Sequence, residues 1–135
     1  MNSKITVNKS NEILEGIFAI GHSLALSTTD PNDRFTEPSV ASYTRYEIKD
    51  GDFKASGSAI TTANHILYGL AEESWGTIIA FGVYDEQNIL IYWGLLNEEV
   101  VVPEDTVPVF KIYNETAGEG IKVTLDAVET TSASV

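Results

Sequence analysis

Five short apolar segments in the second half of the chain are separated at regular intervals by turn-forming residues. They predict strands over 77–84, 89–96, 98–102, 106–113 and 121–128. The separators are 85–88, 97, 103–105 and 114–120, which are rich in Asp, Asn, Pro and Gly. Short strands at this spacing, with almost no helix between them, are typical of an antiparallel sandwich or barrel. We therefore predict an all-β fold, an antiparallel β-sandwich of jelly-roll or immunoglobulin type.

The first half of the chain adds a helix and further strands. Ile13, Leu14, Ile17 and Phe18 would share one helical face, so a short N-terminal helix is predicted over 10–18, capped by Ser10 or Asn11. Alternation and β-branched residues predict strands over 22–28, 43–48, 53–58 and part of 60–70. A hairpin-type turn is expected at 50–52, between the strands over 43–48 and 53–58.

Length and cysteine content set the domain organisation. A chain of 135 residues suits one compact domain, which we place at 1–128, followed by a polar flexible tail at 129–135. No cysteine is present, so the core must form without disulfides or cysteine-bound zinc. The apolar runs are too short to span a membrane, and the first nine residues lead into acidic positions rather than a signal-peptide core. Synthesis in a cytoplasm, without membrane insertion, is the expectation.

The charge balance excludes one class of partner. Twenty acidic residues against eight basic ones give a formal net charge of -12. Contacts with phosphates need a positive surface, so we expect no nucleic-acid binding. The acidity serves either attachment to a basic neighbour or solubility alone, and the sequence leaves both readings open.

Motifs for nucleophilic and metal chemistry are weak. The two histidines, His22 and His65, lie in no nucleophile motif such as G-x-S-x-G, and two histidines without cysteine do not give the usual zinc-ligand spacing. The acidic stretches at 30–33 and 50–52 do not match a calcium loop and read as turns. We predict no catalytic residue and no metal site.

Other catalytic patterns are equally poor. The carboxylate pairs at 72–73, 98–99 and 104–105 would point to opposite faces of a strand, so they do not form the facing dyad of a glycosidase. The glycines lack the spacing of a phosphate-binding loop. We predict no cofactor, and the residual enzyme hypothesis is a small hydrolase that uses His65 with a nearby carboxylate.

Aromatic residues are concentrated in one part of the chain. Trp75, Phe81, Tyr84, Tyr92 and Trp93 fall within twenty residues. Exposed on one face, such rings would suit carbohydrate binding. Strand alternation, however, places Phe81 opposite Tyr84 and Tyr92 opposite Trp93, so part of the set must lie in the core or in a subunit interface.

The same region carries a resemblance to a known family. The relevant segments read Ser74-Trp75-Gly76-Thr77-Ile78, Phe81-Gly82-Val83-Tyr84-Asp85 and Leu90-Ile91-Tyr92-Trp93-Gly94. The chain resembles small bacteriophage virion proteins known as phage tail fibre proteins, whose core reads SWGT…FGIYD…L.Y.G.L. Further matching pieces occur in the same order at 11–18, 24–31, 43–45, 104–106 and 123–126. One departure is Glu104-Asp105-Thr106, where the family usually has Gly-Asp-Thr.

The resemblance implies a function without catalysis. It implies a structural protein of the virion, a tail, fibre or head–tail appendage subunit that assembles through its loops, edges and termini with other virion proteins and with copies of itself. A head–tail connector protein, a capsid decoration or head fibre protein and a carbohydrate-binding module that recognises a host surface glycan are the alternatives. The expected location is the virion, after synthesis in the host bacterial cytoplasm. The candidate structural and interface residues are Trp75, Gly76, Phe81, Gly82, Tyr84, Tyr92, Trp93 and Gly94.

Overall fold

The structure is a computed structural model, and it describes residues 6–125 together with the backbone of 130–134. Most of the described chain is β-strand, with one short helix near the N-terminus. In chain order the elements are α1 (Val7–Ile17), β1 (Ser23–Ser27), β2 (Tyr46–Glu47), β3 (Phe53–Ser56), β4 (Ala59–Thr62), β5 (Ile66–Leu67), β6 (Gly76–Tyr84), β7 (Leu90–Val102), β8 (Val109–Phe110), β9 (Gly120–Thr124) and β10 (Thr130–Ser134).

The strands form three antiparallel sheets. Sheet A has the order β2-β1-β6-β7, sheet B has the order β10-β9-β4-β3, and sheet C consists of β5 and β8. Their inner faces enclose one hydrophobic core. This arrangement confirms the predicted all-β, antiparallel, sandwich-like fold with a short N-terminal helix.

The core is closed at one end by the residue that follows α1. Phe18 is buried, and its ring lies 4.7 Å from that of Phe53 on β3 and 5.8 Å from that of Tyr92 on β7. Because β3 belongs to sheet B and β7 to sheet A, the helix end joins the two large sheets. Burial of one such ring stabilises a domain by about 2 kcal/mol.

The helix starts earlier than predicted, and its cap is a different residue. Thr6 is the N-cap, and its Oγ1 accepts a hydrogen bond from the backbone N–H of Lys9 at 3.2 Å. The predicted caps lie inside α1: Ser10 is buried, and Asn11 Oδ1 accepts from the backbone N–H of Ser58 at 3.0 Å. Thr6 lies three residues before Lys9, the usual spacing between an N-cap side chain and the N–H group that it accepts, and about one helical turn before the predicted cap at Ser10.

The turn at 50–52 exists, but it does not close a hairpin. Gly51 has φ +84°, as tight turns often require, yet β2 pairs with β1 in sheet A whereas β3 pairs with β4 in sheet B. The buried carboxylate of Asp52 accepts hydrogen bonds from Tyr46 Oη and from the N–H of Lys49, both at 2.8 Å. These bonds direct the chain from one sheet to the other, so the hairpin prediction was wrong.

Residues 90–102 form one long strand instead of the two predicted segments divided at Asn97. On β6, Ala80 pairs with Leu95 and Ile78 pairs with Val100, so Ile79 alone faces the four residues 96–99. A large bulge therefore absorbs the extra residues while both ends of β7 stay paired. Asn97 lies within this bulge and does not form a turn.

The C-terminal segment also differs from its prediction. Residues 130–134, which were assigned to the flexible tail, form β10 and pair with β9. Backbone pairing needs no apolar side chain, and the Thr-Thr-Ser-Ala-Ser sequence contains no strand breaker. Residues 126–129 and 135, where the predicted domain boundary falls, lie outside the described residues.

Candidate functional site

Both histidines bond to the backbone. His22 Nδ1 lies 2.9 Å from the carbonyl oxygen of Ile17 and donates to it, whereas His65 Nδ1 accepts from the N–H of Ile112 at 3.1 Å. Within the described residues, no group of three or more His, Cys, Asp or Glu side chains is placed to hold a metal ion. None of the described helices is long and apolar enough to cross a membrane.

The acidic loop at 30–33 serves local turn structure. Asp30 Oδ1 accepts the backbone N–H of Asn32 at 2.9 Å, and the carbonyl oxygen of Asp30 accepts the N–H groups of Asp33 and Arg34. This pattern is an Asx turn followed by a tight backbone turn. The interpretation of these residues as turn formers is therefore confirmed.

Several of the aromatic candidates belong to the core. Trp75 is buried, donates from Nε1 to Ser42 Oγ at 3.0 Å, and meets the ring of Tyr43 edge-on at 5.2 Å. Phe81 is fully buried and lies 6.1 Å from the ring of Tyr92. These side chains stabilise the fold from inside and are not available to a ligand.

Three candidate glycines have distinct surroundings. A Cβ at Gly82 would lie 2.7 Å from the ring of Phe35, so the missing side chain lets this ring rest on the outer face of sheet A. Gly94 is buried and pairs directly with Phe81. Gly76 has φ +84° at the start of β6, in the left-handed region that favours glycine.

A polar cluster lies on the outer side of sheet A and holds the 29–45 loop in place. Its centre is Arg45, whose Nε and Nη2 donate to the two carboxylate oxygens of Glu37, each at 2.9 Å. The same guanidinium bonds to Asn88 Oδ1 and lies 3.6 Å from the ring centroid of Tyr84. We call Glu37, Tyr43, Arg45, Tyr84 and Asn88 the Arg45 cluster.

Tyr43 links the Arg45 cluster to the backbone of β1. Its hydroxyl donates to Glu37 Oε1 at 2.7 Å and accepts the N–H of Leu26 at 3.0 Å, beyond the point where β2 has ended. The side chain thus replaces a missing strand partner. Sequence reasoning did not single out this cluster, although Tyr43 and Arg45 stand in a segment that matches the phage family.

Four tyrosines in the structure have a pKa above the ordinary value: Tyr43, Tyr46, Tyr68 and Tyr84. Burial raises the pKa of Tyr43 well above its ordinary value, and Glu37 adds to the effect through its hydrogen bond. Burial likewise raises the pKa of Tyr68 and of Tyr84. For Tyr46, burial and then the hydrogen bond to Asp52 raise the pKa to about 12.

These raised values predict loss of stability in alkali. An unfolded tyrosine releases its proton at about pH 10, whereas the folded chain retains it, so the free energy of unfolding falls as the pH rises above about 10. We expect phenolate absorbance from Tyr46 near pH 12 and from Tyr43 and Tyr68 only on unfolding. The Tyr46→Phe variant should lose only the rise in phenolate absorbance near pH 12. Ionisation of all tyrosines near pH 10, with an intact circular dichroism spectrum, would contradict the assignment.

Two apolar faces remain uncovered by the described chain. The β7 face consists of Ile91, Trp93 and Leu95, on the outer side of sheet A; Trp93 is half-buried and the other two are exposed. The β5–β8 face consists of Leu67, Val107 and Val109, on the outer side of sheet C. Of the aromatic candidates, Trp93 is the one that contributes to either face.

Comparison with protein families agrees with the phage resemblance. A family model described as podophage GP4 fiber I protein gp80 matches residues 21–117. The chain belongs to this gp80 family. The match includes β1 to β8, the Arg45 cluster and both apolar faces, whereas α1, β9 and β10 lie outside it. No curated protein matches the chain.

Membership of the gp80 family has a direct consequence for function. The family is one of phage fibre proteins, so the chain is a structural fibre protein and a component of a virion. The predicted resemblance to phage tail fibre proteins is confirmed at this level.

Proposed function

We propose that the chain is a non-enzymatic subunit of a podophage tail fibre, made in the host bacterial cytoplasm and built into the particle through contacts with other virion proteins and with copies of itself. The observation that supports this most is the gp80 family match over residues 21–117. Trp75 and Phe81 of the central segment lie in the core of this subunit.

The physical character of the molecule suits such a role. Within the 29–45 loop, Arg45 makes a bidentate ion pair with Glu37, and its guanidinium stacks on Tyr84 of sheet A. Charge-assisted bidentate pairs hold side chains more rigidly than single neutral hydrogen bonds do. Trp75 and Tyr43 anchor the same loop from the core side. A rigid surface loses little conformational entropy when it is incorporated into a particle.

Mass spectrometry and cryo-electron microscopy of purified particles test the assignment. We expect the chain in stoichiometric amount, located in a fibre that extends from the tail. If density for the chain lies on the capsid surface or in the connector, the tail-fibre assignment is wrong and the chain is a decoration or connector protein. If the chain is absent from the particle, the structural role is contradicted altogether.

Matched variants address catalysis and glycan binding. A His22→Ala/His65→Ala chain that still folds should enter particles as the parent chain does, because neither ring is assigned a chemical role. Because His65 lies at the β5–β8 face, the self-association of this variant is measured as well. Failure to enter particles with folding and self-association both unchanged would contradict the proposal. Calorimetric titration with host surface polysaccharide is expected to show no binding, and saturable binding lost in a Trp93→Ala variant would instead favour the recognition module.

A further inference from the structure

The β5–β8 face is an apolar groove with Lys111 at one end. Leu67 pairs with Val109, so the same register places Gly69 across from Val107 and His65 across from Lys111. Ile66 and Phe110 point into the core, hence these alternate residues point outwards. Leu67 is 57% exposed and Val107 is 48% exposed, and together with Val109, His65 and Lys111 they line a shallow groove of about 280 Å³.

The β7 face is an apolar strip with an acidic end. Tyr92 points into the core, so its neighbours Ile91 and Trp93 point outwards, and Leu95 follows with 44% exposure. Glu98 and Glu99 come next along the strand, in the bulge, and both are exposed. Beyond them Val101 is 64% exposed.

The two faces point away from each other. Sheet A and sheet C pack through their inner sides around a void of about 10 Å³. Its lining comes from sheet A (Leu26, Ile78, Val100 and Val102) and from the sheet C side (Tyr68, Pro108, Val109 and Phe110), so Val109 borders both this void and the outer groove. The outer sides of the two sheets therefore lie on opposite sides of the domain. Each copy thus presents one apolar face in each direction.

The ends of the two faces are complementary in charge. In a chain of net charge -12, Lys111 places a cation at one end of the β5–β8 groove. Lys111 Nζ already donates to Glu119 at 2.7 Å, but an ammonium has three donors, and within residues 6–125 the other two have no hydrogen-bond partner in the protein. Glu98 and Glu99 supply carboxylates at the end of the β7 face.

We propose that copies of this chain associate head to tail, with the β7 face of one copy on the β5–β8 face of the next, and with Glu98 or Glu99 beside Lys111. A contact between unlike faces repeats from copy to copy and gives a ring or an open stack, unlike a two-fold dimer. It covers both exposed apolar faces with a single type of interface. The inference rests on the proposed role as a fibre subunit that assembles with itself.

Light scattering after size-exclusion chromatography of the full chain tests this directly. The parent chain should elute as multiples of 14.7 kDa. Leu67→Glu blocks one face and Leu95→Glu blocks the other, so each variant alone should run as a single chain. An equimolar mixture retains one intact face of each kind and should form a dimer of twice the chain mass.

Two further variants separate docking from folding. The register places Gly69 across from Val107, at the edge of the groove, and a Cβ there would have no atom within 4 Å. Gly69→Leu therefore adds a bulky side chain beside the docking face of a folded protein and should also give a single chain. Ile20→Glu is the matched control, because Ile20 is 62% exposed and lies on neither face. This variant should assemble as the parent does.

Three results would overturn the inference. The first is that the parent chain remains monomeric up to its solubility limit. The second is that a mixture of Leu67→Glu and Leu95→Glu forms no dimer. The third is that Gly69→Leu assembles as the parent chain does. If the chain is present in phage particles but is monomeric in solution, the fibre role stands and the head-to-tail contact falls.

Discussion

A Gly120→Ala chain is expected to lose about 4 kcal/mol of folding stability, combining left-handed backbone strain with overpacking in a close-packed site. Gly120 has φ +85°, and a Cβ there would lie 2.6 Å from the carbonyl oxygen of Lys111 and 2.6 Å from the Cα of Tyr113. Both are backbone atoms, so no side chain can rotate away. The same Cβ would lie 2.7 Å from Thr62 Oγ1, which bridges the carbonyl oxygen of Lys111 and the N–H of Ile121.

The matched control is the neighbouring glycine. Gly118 has φ +67°, but a Cβ there would have no atom within 4 Å, so Gly118→Ala should lose only about 1 kcal/mol through backbone strain. Urea unfolding followed by circular dichroism measures both. Since a domain of this kind has about 5–15 kcal/mol in total, the first variant should show a much lower midpoint. Equal losses in the two variants would show that the contacts at Gly120 relax freely.

The strands that could be predicted are those whose successive side chains alternate between the inner and the outer face of a sheet, even where, as in β6, loops bury the outer face as well. Alternation predicted correctly that Phe81 and Tyr84 lie on opposite faces, and that Tyr92 and Trp93 do so as well. The pattern holds because one side of each strand meets the core and the other side does not. The bulge in β7 could not be predicted, because it depends on the pairing with a different strand. Ile78 and Ala80 of β6 pair with Val100 and Leu95, and no local pattern in 90–102 reveals that register.

The Arg45 cluster shows a second limit of sequence reasoning. Arg45 is eight residues from Glu37 and 43 residues from Asn88, so no local spacing relates the three side chains. They meet because the 29–45 loop folds back over sheet A, where Gly82 leaves room for Phe35. The two apolar faces were missed for a similar reason, because exposure depends on which surfaces the loops leave uncovered.

A Phe110→Ala chain is expected to lose about 4 kcal/mol, the usual cost of truncating a buried phenylalanine. Phe110 is fully buried, and its ring meets those of Tyr68 at 6.3 Å and Phe81 at 6.2 Å. It is the main side chain through which the two-residue strand β8 is held against sheet A. Ile112 lies two residues further on and is 44% exposed. Ile112→Ala is therefore the matched control, and it should lose less than about 1 kcal/mol of folding stability in the same urea experiment.

The origin of that loss can be tested by filling the space again. Phe110 already borders a void of about 10 Å³ with Leu26, Tyr68 and Val100, so truncation should enlarge it into an apolar cavity. Apolar cavities of this kind bind benzene, and a ligand that binds only the folded state raises its stability. We therefore expect benzene to raise the urea midpoint of Phe110→Ala and to leave that of Ile112→Ala unchanged. If benzene has no effect while the loss persists, β8 has moved inwards to close the space, and the β5–β8 face, together with any assembly through it, should be altered in the same variant.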